Sequence, residues 1–384
     1  MAVLCSNCSG RLIFNPASQK LECAACGSSF RPEDVQDIYA NVHSKYYDTR
    51  VYTCGHCGAE VVTSDSEVST FCVYCGNPAI VFSRISKEYK PDGIIPFSVT
   101  KEDAIRYVKL KFRKNLTVPK EVMDKLVPDN VRGIYVPYWV INARFTETDM
   151  LSGMVKRGKH SEKRYYLRSG NVNLKNVPID GSKLLNDSTS LKLEPFYLED
   201  AKDFDEDYLN GFYSNISDTS YQELRESAAF RCHKLYGDDV VKTVEARDVK
   251  IDDSIYWVDI QDDPLYLMMP VWFFTFKYEG KPYTILINGQ TGKVVGTMPW
   301  VTSRVKMISV TAFVITLIIF AASFYGMLTN VGGTRGISNH ILAALTLFST
   351  YVFANSIAGL KRIKTNLKLT QSEDIFTYVK KRQG

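Results

Sequence analysis

Two hydrophobic stretches, residues 132–145 and 267–278, are rich in branched and aromatic side chains and are predicted to form β-strands. Both contain a Pro-x-Trp motif, which is consistent with an old internal duplication. Because proline cannot donate a hydrogen bond to a sheet, Pro137 predicts that the first strand lies at an edge or carries a bulge. Residues 281–295 surround an Asn-Gly turn and are predicted to form a β-hairpin.

Two segments carry the residue pattern of a helix start. Thr100 precedes apolar residues at helical spacing and is the predicted N-cap of a helix of about four turns. Ser220 and Glu223 form a predicted capping box for a second helix, which Gly237 is expected to end. Cys232 lies on the apolar stripe of that helix, so we predict a core residue and not a nucleophile.

Two long runs near the end of the chain contain no charged residue, 22 positions in residues 307–328 and 20 in residues 341–360. A helix of that length, at about 1.5 Å per residue, can cross a hydrocarbon core about 30 Å thick. We therefore predict a two-helix transmembrane hairpin over residues 304–364, with the lipid bilayer as a partner. Lysine and arginine flank the hairpin on one side, which predicts an inner-membrane protein with both termini and the basic tail, 365–384, in the cytoplasm.

Eight of the nine cysteines form one pattern of two CxxC pairs, repeated 49 positions later with fourteen residues between the pairs in each copy. Two facing CxxC turns offer four thiolates in the tetrahedral arrangement that Zn²⁺ takes in closed structural sites. Disulfides are typical of small secreted domains, whereas the start of this chain does not resemble a secretory leader. A redox CxxC motif would not require four copies at matched spacing. The sequence thus predicts two structural Zn²⁺ ions, one held by Cys5, Cys8, Cys23 and Cys26, the other by Cys54, Cys57, Cys72 and Cys75.

Charge is distributed unevenly, with 21 basic against 11 acidic residues in 81–186 and the reverse, 11 against 21, in 187–303. The densest basic stretch, 156–168, ends in tyrosines. Three interpretations stay open: a face that is solvated or docked on the acidic half, a contact with anionic lipid, or a grip on nucleic-acid phosphates and bases. An excess of acidic residues in the ribbons counts against the third. The possible contacts with an anionic partner are Lys156, Arg157, Lys159, Lys163, Arg164 and Arg168.

No catalytic motif accompanies these features, and we predict that the chain is not an enzyme. The acidic run 203–207 is similar to a calcium loop, but Tyr208 and Ser214 replace the glycine and glutamate that such a loop needs, so we expect a solvated loop. The five histidines show no metal-binding spacing, and His233 is predicted to point away from Cys232. An active site assembled from residues without a motif stays open.

The repeated cysteines resemble the zinc-ribbon family over residues 1–82. The whole layout is similar to a family of bacterial TFIIB-type zinc-ribbon proteins with a C-terminal transmembrane hairpin. Four further stretches carry that likeness: residues 94–104, 134–139, 269–273 and 288–295. The resemblance implies a fold and a metal, and it implies no activity.

The predicted fold is therefore multidomain: two small β zinc ribbons (1–47 and 48–82), an α+β cytoplasmic domain with mainly antiparallel sheet (83–303), and the two-helix transmembrane hairpin (304–364). We predict a membrane-anchored cytoplasmic adaptor that recruits a protein partner to the inner membrane. The alternative is a membrane-tethered nucleic-acid-binding protein that uses the basic stretch 156–168.

Overall fold

The structure is a computed structural model. It describes residues 4–35, 46–63, 72, 80–113, 118–158, 160–182, 187–279, 281–296 and 298–299, and fifteen separate positions between 307 and 355. Cys75, Lys159 and the predicted basic tail, 365–384, therefore lie outside the described residues.

The described elements are mostly strands. In chain order the strands are β1 Leu12–Asn15, β2 Lys20–Cys23, β3 Ser29–Phe30, β4 Tyr46–Cys54, β5 Glu60–Thr63, β6 Ile80–Tyr89, β7 Gly93–Ile94, β8 Val131–Arg157, β9 His160–Asp180, β10 Lys202–Asp203, β11 Tyr213–Ser214, β12 Arg247–Ile260, β13 Leu265–Tyr278, β14 Lys281–Asn288 and β15 Val294–Val295. The α-helices are α1 Lys101–Phe112, α2 Lys120–Asp124, α3 Asp187–Leu193 and α4 Tyr221–Val240.

The long strand β8 organises the larger sheet. Its first half pairs with β13, and its second half pairs with β12 on one side and β9 on the other. β11 joins this sheet to β5, β4 and β6, while β1, β2 and β3 form a separate small sheet. Most of these pairings are antiparallel, and the predicted hairpin at 281–295 forms as β14 and β15.

Pro137 does not mark an edge strand, because β8 has neighbours on both sides. On one side it pairs with Met268 of β13. On the other side β11 ends opposite Tyr135, and β9 ends opposite Tyr138. Pro137 therefore lies between the positions paired with β11 and those paired with β9, where no neighbouring strand requires a hydrogen bond from its backbone nitrogen.

The first ribbon shares its core with the large sheet. Phe14 of β1 packs on the ring of Tyr208 at 5.1 Å and near Phe212 at 6.5 Å. Phe212 in turn stacks on Phe97, with ring centroids 4.3 Å apart. The ribbon hairpin is therefore an integral part of one hydrophobic core that includes the sheet.

Both predicted helix starts are confirmed, and one predicted end is wrong. The Thr100 side chain accepts a hydrogen bond from the Asp103 backbone, and Ser220 with Glu223 forms a complete capping box. Helix α4 continues through Gly237 to Val240. A glycine inside a helix costs only about 1 kcal/mol, which packing against β12 can offset. Cys232 is buried beside Ala228, as predicted.

The acidic run 203–207 is not simply a solvated loop. Asp207 is only 3% exposed and accepts a hydrogen bond from the Asn210 amide. Burial, with the nearby Asp205 and Glu206 carboxylates, raises the pKa of Asp207 to about 7. The number of acidic residues in the run does not show which side chain is buried, so the sequence did not predict the burial of Asp207.

The predicted transmembrane hairpin requires correction. Within the described part of the chain, which is mostly sheet, no helix combines the length and apolar composition that a membrane crossing needs. Most of residues 304–364 lie outside that part. The prediction rested on uncharged length alone, which describes composition and does not establish a continuous helix. Three further predictions depended on the hairpin and lose their support with it: the inner-membrane localisation, the bilayer contact and the cytoplasmic placement of both termini.

Candidate metal centres

The first four predicted ligands come together at the open end of the β1–β2 hairpin. Cys5 and Cys8 precede β1, Cys23 ends β2, and Cys26 lies in the following turn. Their sulfur atoms all lie within 4.8 Å of one another. Cys5 and Cys23 are buried against the hairpin, whereas Cys8 and Cys26 face solvent.

The spacing of these sulfur atoms fits one tetrahedral ion. The Cys5 and Cys26 Sγ atoms are 3.7 Å apart, and those of Cys8 and Cys23 are 3.4 Å apart. Four thiolates at about 2.3 Å from a zinc ion would be separated by about 3.8 Å. The donor set is therefore close to the geometry that such an ion imposes.

Local backbone features bring the thiolates together. At Gly10 a Cβ atom would lie 2.9 Å from the Cys23 Sγ and 3.0 Å from the Cys8 Sγ, so a larger residue would collide with the ligands. Gly27 adopts a φ of +73°, a conformation that glycine permits without strain. Contacts from Ser28 lower the pKa of the Cys26 thiol to about 6, whereas the hydrogen bond with Cys26 raises the pKa of Cys8, so Cys26 is the member of this pair that favours the thiolate.

The second cluster repeats this arrangement in a more buried setting. Cys54, Cys57 and Cys72 have sulfur atoms within 4.8 Å of one another, and the Cys57 and Cys72 Sγ atoms are 3.7 Å apart. All three side chains are buried in a core shared with the large sheet. Gly58 has a φ of +69°, like its counterpart in the first copy. The two cysteine clusters can thus hold metal ions, as far as their described members show.

Comparison with known proteins adds one relative. No protein-family model matches the chain, and no solved structure matches it. The chain is similar to YdjG of Bacillus subtilis (strain 168), which is described as an uncharacterised protein. The two are 26% identical over 309 residues, which cover 77% of this chain and 89% of the relative. This likeness assigns no ligand and no activity, so the resemblance to zinc-ribbon proteins remains a prediction.

The predicted basic stretch forms the tip of the β8–β9 hairpin, where Lys156 and Arg157 are exposed. Lys163 lies 3.7 Å from the Asp252 carboxylate of β12 and 4.9 Å from the Tyr165 ring. Two further candidates also have intramolecular contacts: Arg164 is 3.7 Å from Glu162, and the Arg168 Nε donates to the Thr243 hydroxyl. The stretch is therefore partly engaged with the acidic half of the chain.

Sequence reasoning missed a third cluster, made by Glu147, Asp149 and His233. Glu147 and Asp149 occupy alternate positions on the inner face of β8, and His233 reaches them from helix α4. The His233 Nδ1 lies 2.6 Å from the Glu147 Oε1. Burial, together with the Asp149 carboxyl, raises the pKa of Glu147 to about 7.

A pattern in the sequence does point to this cluster. Phe145, Glu147, Asp149 and Leu151 alternate along one strand, so the two acids share the face of two buried apolar residues. Acidic side chains at such positions are rarely buried without a partner. His233 is predicted to point away from Cys232, and the partner it finds belongs to another element.

Proposed function

We propose that each cysteine cluster holds one structural Zn²⁺ through four thiolates, with Cys75 completing the second set. The sulfur spacings near 3.7 Å support this assignment. Four thiolates leave no open coordination position, so the ions would stabilise the fold and would not act on a substrate.

We further propose that the chain is an adaptor that binds a protein partner through the outer face of β8, β9 and β12. The observation that carries this proposal is a group of exposed apolar side chains on that face. Met150 is 43% exposed, Leu167 69%, Ile255 68% and Trp257 54%. Large contiguous apolar patches on a folded protein commonly mark interaction sites.

The strand register makes these side chains neighbours. Met150 of β8 lies opposite Leu167 of β9. On β12, Ile255 lies opposite Thr148 and Trp257 lies opposite Thr146, and these two threonines share the outer face of β8 with Met150. The opposite face of the same strands is covered by helix α4, which leaves the outer face as the accessible one. An exposed tryptophan within such a patch is a typical anchor of a protein interface.

The second cysteine cluster belongs to the same sheet as this face. β4 and β5 carry its first ligands and their turn, and β5 connects through β11 to β8. A zinc ion in that cluster would therefore fix one part of the sheet that presents the patch. In this proposal the metal supports the surface, and the surface contacts the partner.

Affinity capture with the purified full chain tests the adaptor role. We expect a specific protein to be retained by the wild type and lost with Trp257→Ser, because the anchor is removed. Ile85→Ser is the matched control, since Ile85 is also exposed but lies on β6, outside the patch. Equal capture by the Trp257 and Ile85 variants would exclude this face, and Cys54→Ser tests whether capture also needs the second zinc site.

Nucleic-acid binding through residues 156–168 is the less supported alternative. The exposed Lys156 and Arg157 favour it. The contacts of Lys163 with Asp252 and of Arg168 with Thr243 weigh against it, because phosphate binding would have to displace them. Salt-dependent binding of DNA or RNA would support this alternative if the double variant Lys156→Gln, Arg157→Gln lost that binding.

A further inference from the structure

Two carboxyl groups are buried side by side near the middle of β8. Glu147 and Asp149 have no exposed surface. Glu147 Oε1 contacts the His233 Nδ1 at 2.6 Å, and Asp149 Oδ1 accepts a 2.5 Å hydrogen bond from the Ser254 hydroxyl. The second oxygen of each, Oε2 and Oδ2, has no hydrogen-bond partner.

Two buried carboxyl groups in this arrangement require either a positive charge or a shared proton. A buried carboxylate is costly unless a cation or several donors compensate it, and here a single imidazole faces two carboxyl groups. A divalent cation would satisfy both free oxygen atoms at once. One ligand atom from each of the three side chains already lies within 4.8 Å of the others.

We propose that Glu147, Asp149 and His233 form a third metal site, for a divalent cation that accepts mixed oxygen and nitrogen ligands, such as Mn²⁺, Fe²⁺ or Zn²⁺. Carboxylate and imidazole together suit these ions, whereas thiolates select zinc. With an octahedral ion at about 2.1 Å from each ligand, the Glu147 Oε1 and His233 Nδ1 atoms, now 2.6 Å apart, would separate to about 3 Å, which requires a small side-chain rotation. Three protein ligands leave further coordination positions for water or a ligand.

The surroundings hold these side chains in place. The His233 ring stacks on Tyr256 with centroids 4.4 Å apart and planes 15° from parallel. Tyr256 and Ser254 belong to β12 and lie opposite Glu147 and Asp149, respectively. The two carboxylates come from a strand that is paired on both sides, so the site is built on rigid elements.

The test uses the full chain with its cysteine sites filled by zinc, and then Mn²⁺ as the probe. Free Mn²⁺ is followed by electron paramagnetic resonance, and zinc in the same samples is counted by elemental analysis. We expect one further divalent ion per chain in the wild type, and at least a tenfold weaker affinity in Asp149→Asn. A third site already filled by zinc would appear as one zinc more in the wild type than in this variant.

Glu226→Gln is the matched control, because Glu226 is an exposed acid on the same helix, α4. It should bind the additional ion like the wild type. Thermal unfolding separates binding from misfolding: without Mn²⁺, Asp149→Asn should melt no lower than the wild type, and only the wild type should gain stability when Mn²⁺ is added. Equal metal content and equal affinity in the wild type and Asp149→Asn, or no additional ion in either, would overturn the proposal and leave the pair as carboxyl groups that share a proton.

Discussion

The first cysteine cluster and the Glu147–Asp149–His233 cluster assemble their ligands in different ways. The cysteines belong to one short hairpin, and two of the four face solvent. Glu147 and His233 lie 86 positions apart in the chain, and a paired strand and a 20-residue helix bring them together. In the proposed structural role, zinc orders the first ribbon, whereas the Glu147–Asp149–His233 cluster is held by a paired strand and a helix. Loss of metal should therefore have a large structural effect in the first region and a small one in the second.

The largest expected effect is the loss of the first ribbon's metal. Cys23→Ser should release one zinc and unfold residues 4–35, because structural zinc supplies about 10–16 kcal/mol of apparent binding free energy in small zinc domains. Zinc content and hydrogen exchange of this segment measure the outcome. Cys232→Ser, at a buried cysteine outside both clusters, is the control and should keep both zinc ions. Full zinc content in the Cys23 variant would contradict the assignment.

Separating the ribbon from the sheet should have the next largest effect. Phe14→Ala removes a buried ring that contacts Tyr208 and Phe212. Such a truncation in a core costs about 3–5 kcal/mol, so the denaturant midpoint should fall while zinc remains bound. Leu4→Ala, at a residue 56% exposed near the same ribbon, should change stability little. An unchanged midpoint in Phe14→Ala would show that ribbon and sheet unfold independently.

The same difference explains what the sequence predicts well. Metal ligands in CxxC turns are set by local spacing, so the cysteine clusters follow from the chain alone. Thr100 and Ser220 act through neighbours three residues away, and both helix starts are predicted correctly. Features that depend only on sequence neighbours are therefore open to prediction from local pattern.

Features that depend on distant partners are missed. His233 finds Glu147 only because α4 packs on the inner face of β8. The missing donor of Pro137 is visible in the sequence and predicts an edge or a bulge, but the change of neighbouring strand that accommodates it is not visible there. The hairpin predicted over 304–364 failed for a different reason. It was inferred from uncharged composition, and composition alone is not sufficient evidence of a spanning helix.

A third prediction compares another buried carboxyl with the acid cluster. Asp207 is buried, and its pKa in the folded protein is about 7, against about 4 in the unfolded chain. The folded state therefore favours the neutral acid, and stability should be full below about pH 4 and fall on the order of 4 kcal/mol as the pH rises to 7. Asp207→Asn should remove this decline and be more stable than the wild type at pH 8.

Unfolding measured between pH 4 and 8 tests this expectation. Asp203→Asn serves as the control, because Asp203 belongs to the same acidic run but is exposed. Parallel pH profiles for the wild type and Asp207→Asn would show that the buried carboxyl is not responsible. The Asn210 amide can still donate to an asparagine oxygen at position 207, so the variant is expected to fold.

The smallest expected effect isolates the support of the proposed third site. The Ser254 side chain contacts the cluster through its hydroxyl, which donates a hydrogen bond to Asp149 Oδ1 at 2.5 Å. Ser254→Ala should cost about 1 kcal/mol of stability, the typical value of one hydrogen bond. Because groups that orient metal ligands are commonly worth about 10- to 100-fold in affinity, Mn²⁺ binding should weaken at least tenfold while both zinc ions remain. Ser169→Ala, on the outer face of β9, is the control, since its hydroxyl contacts Thr148 and does not reach the cluster. If both serine variants bound Mn²⁺ like the wild type, Asp149 would not need its β12 neighbour, and the scaffold assigned to this site would be reduced to β8 and α4.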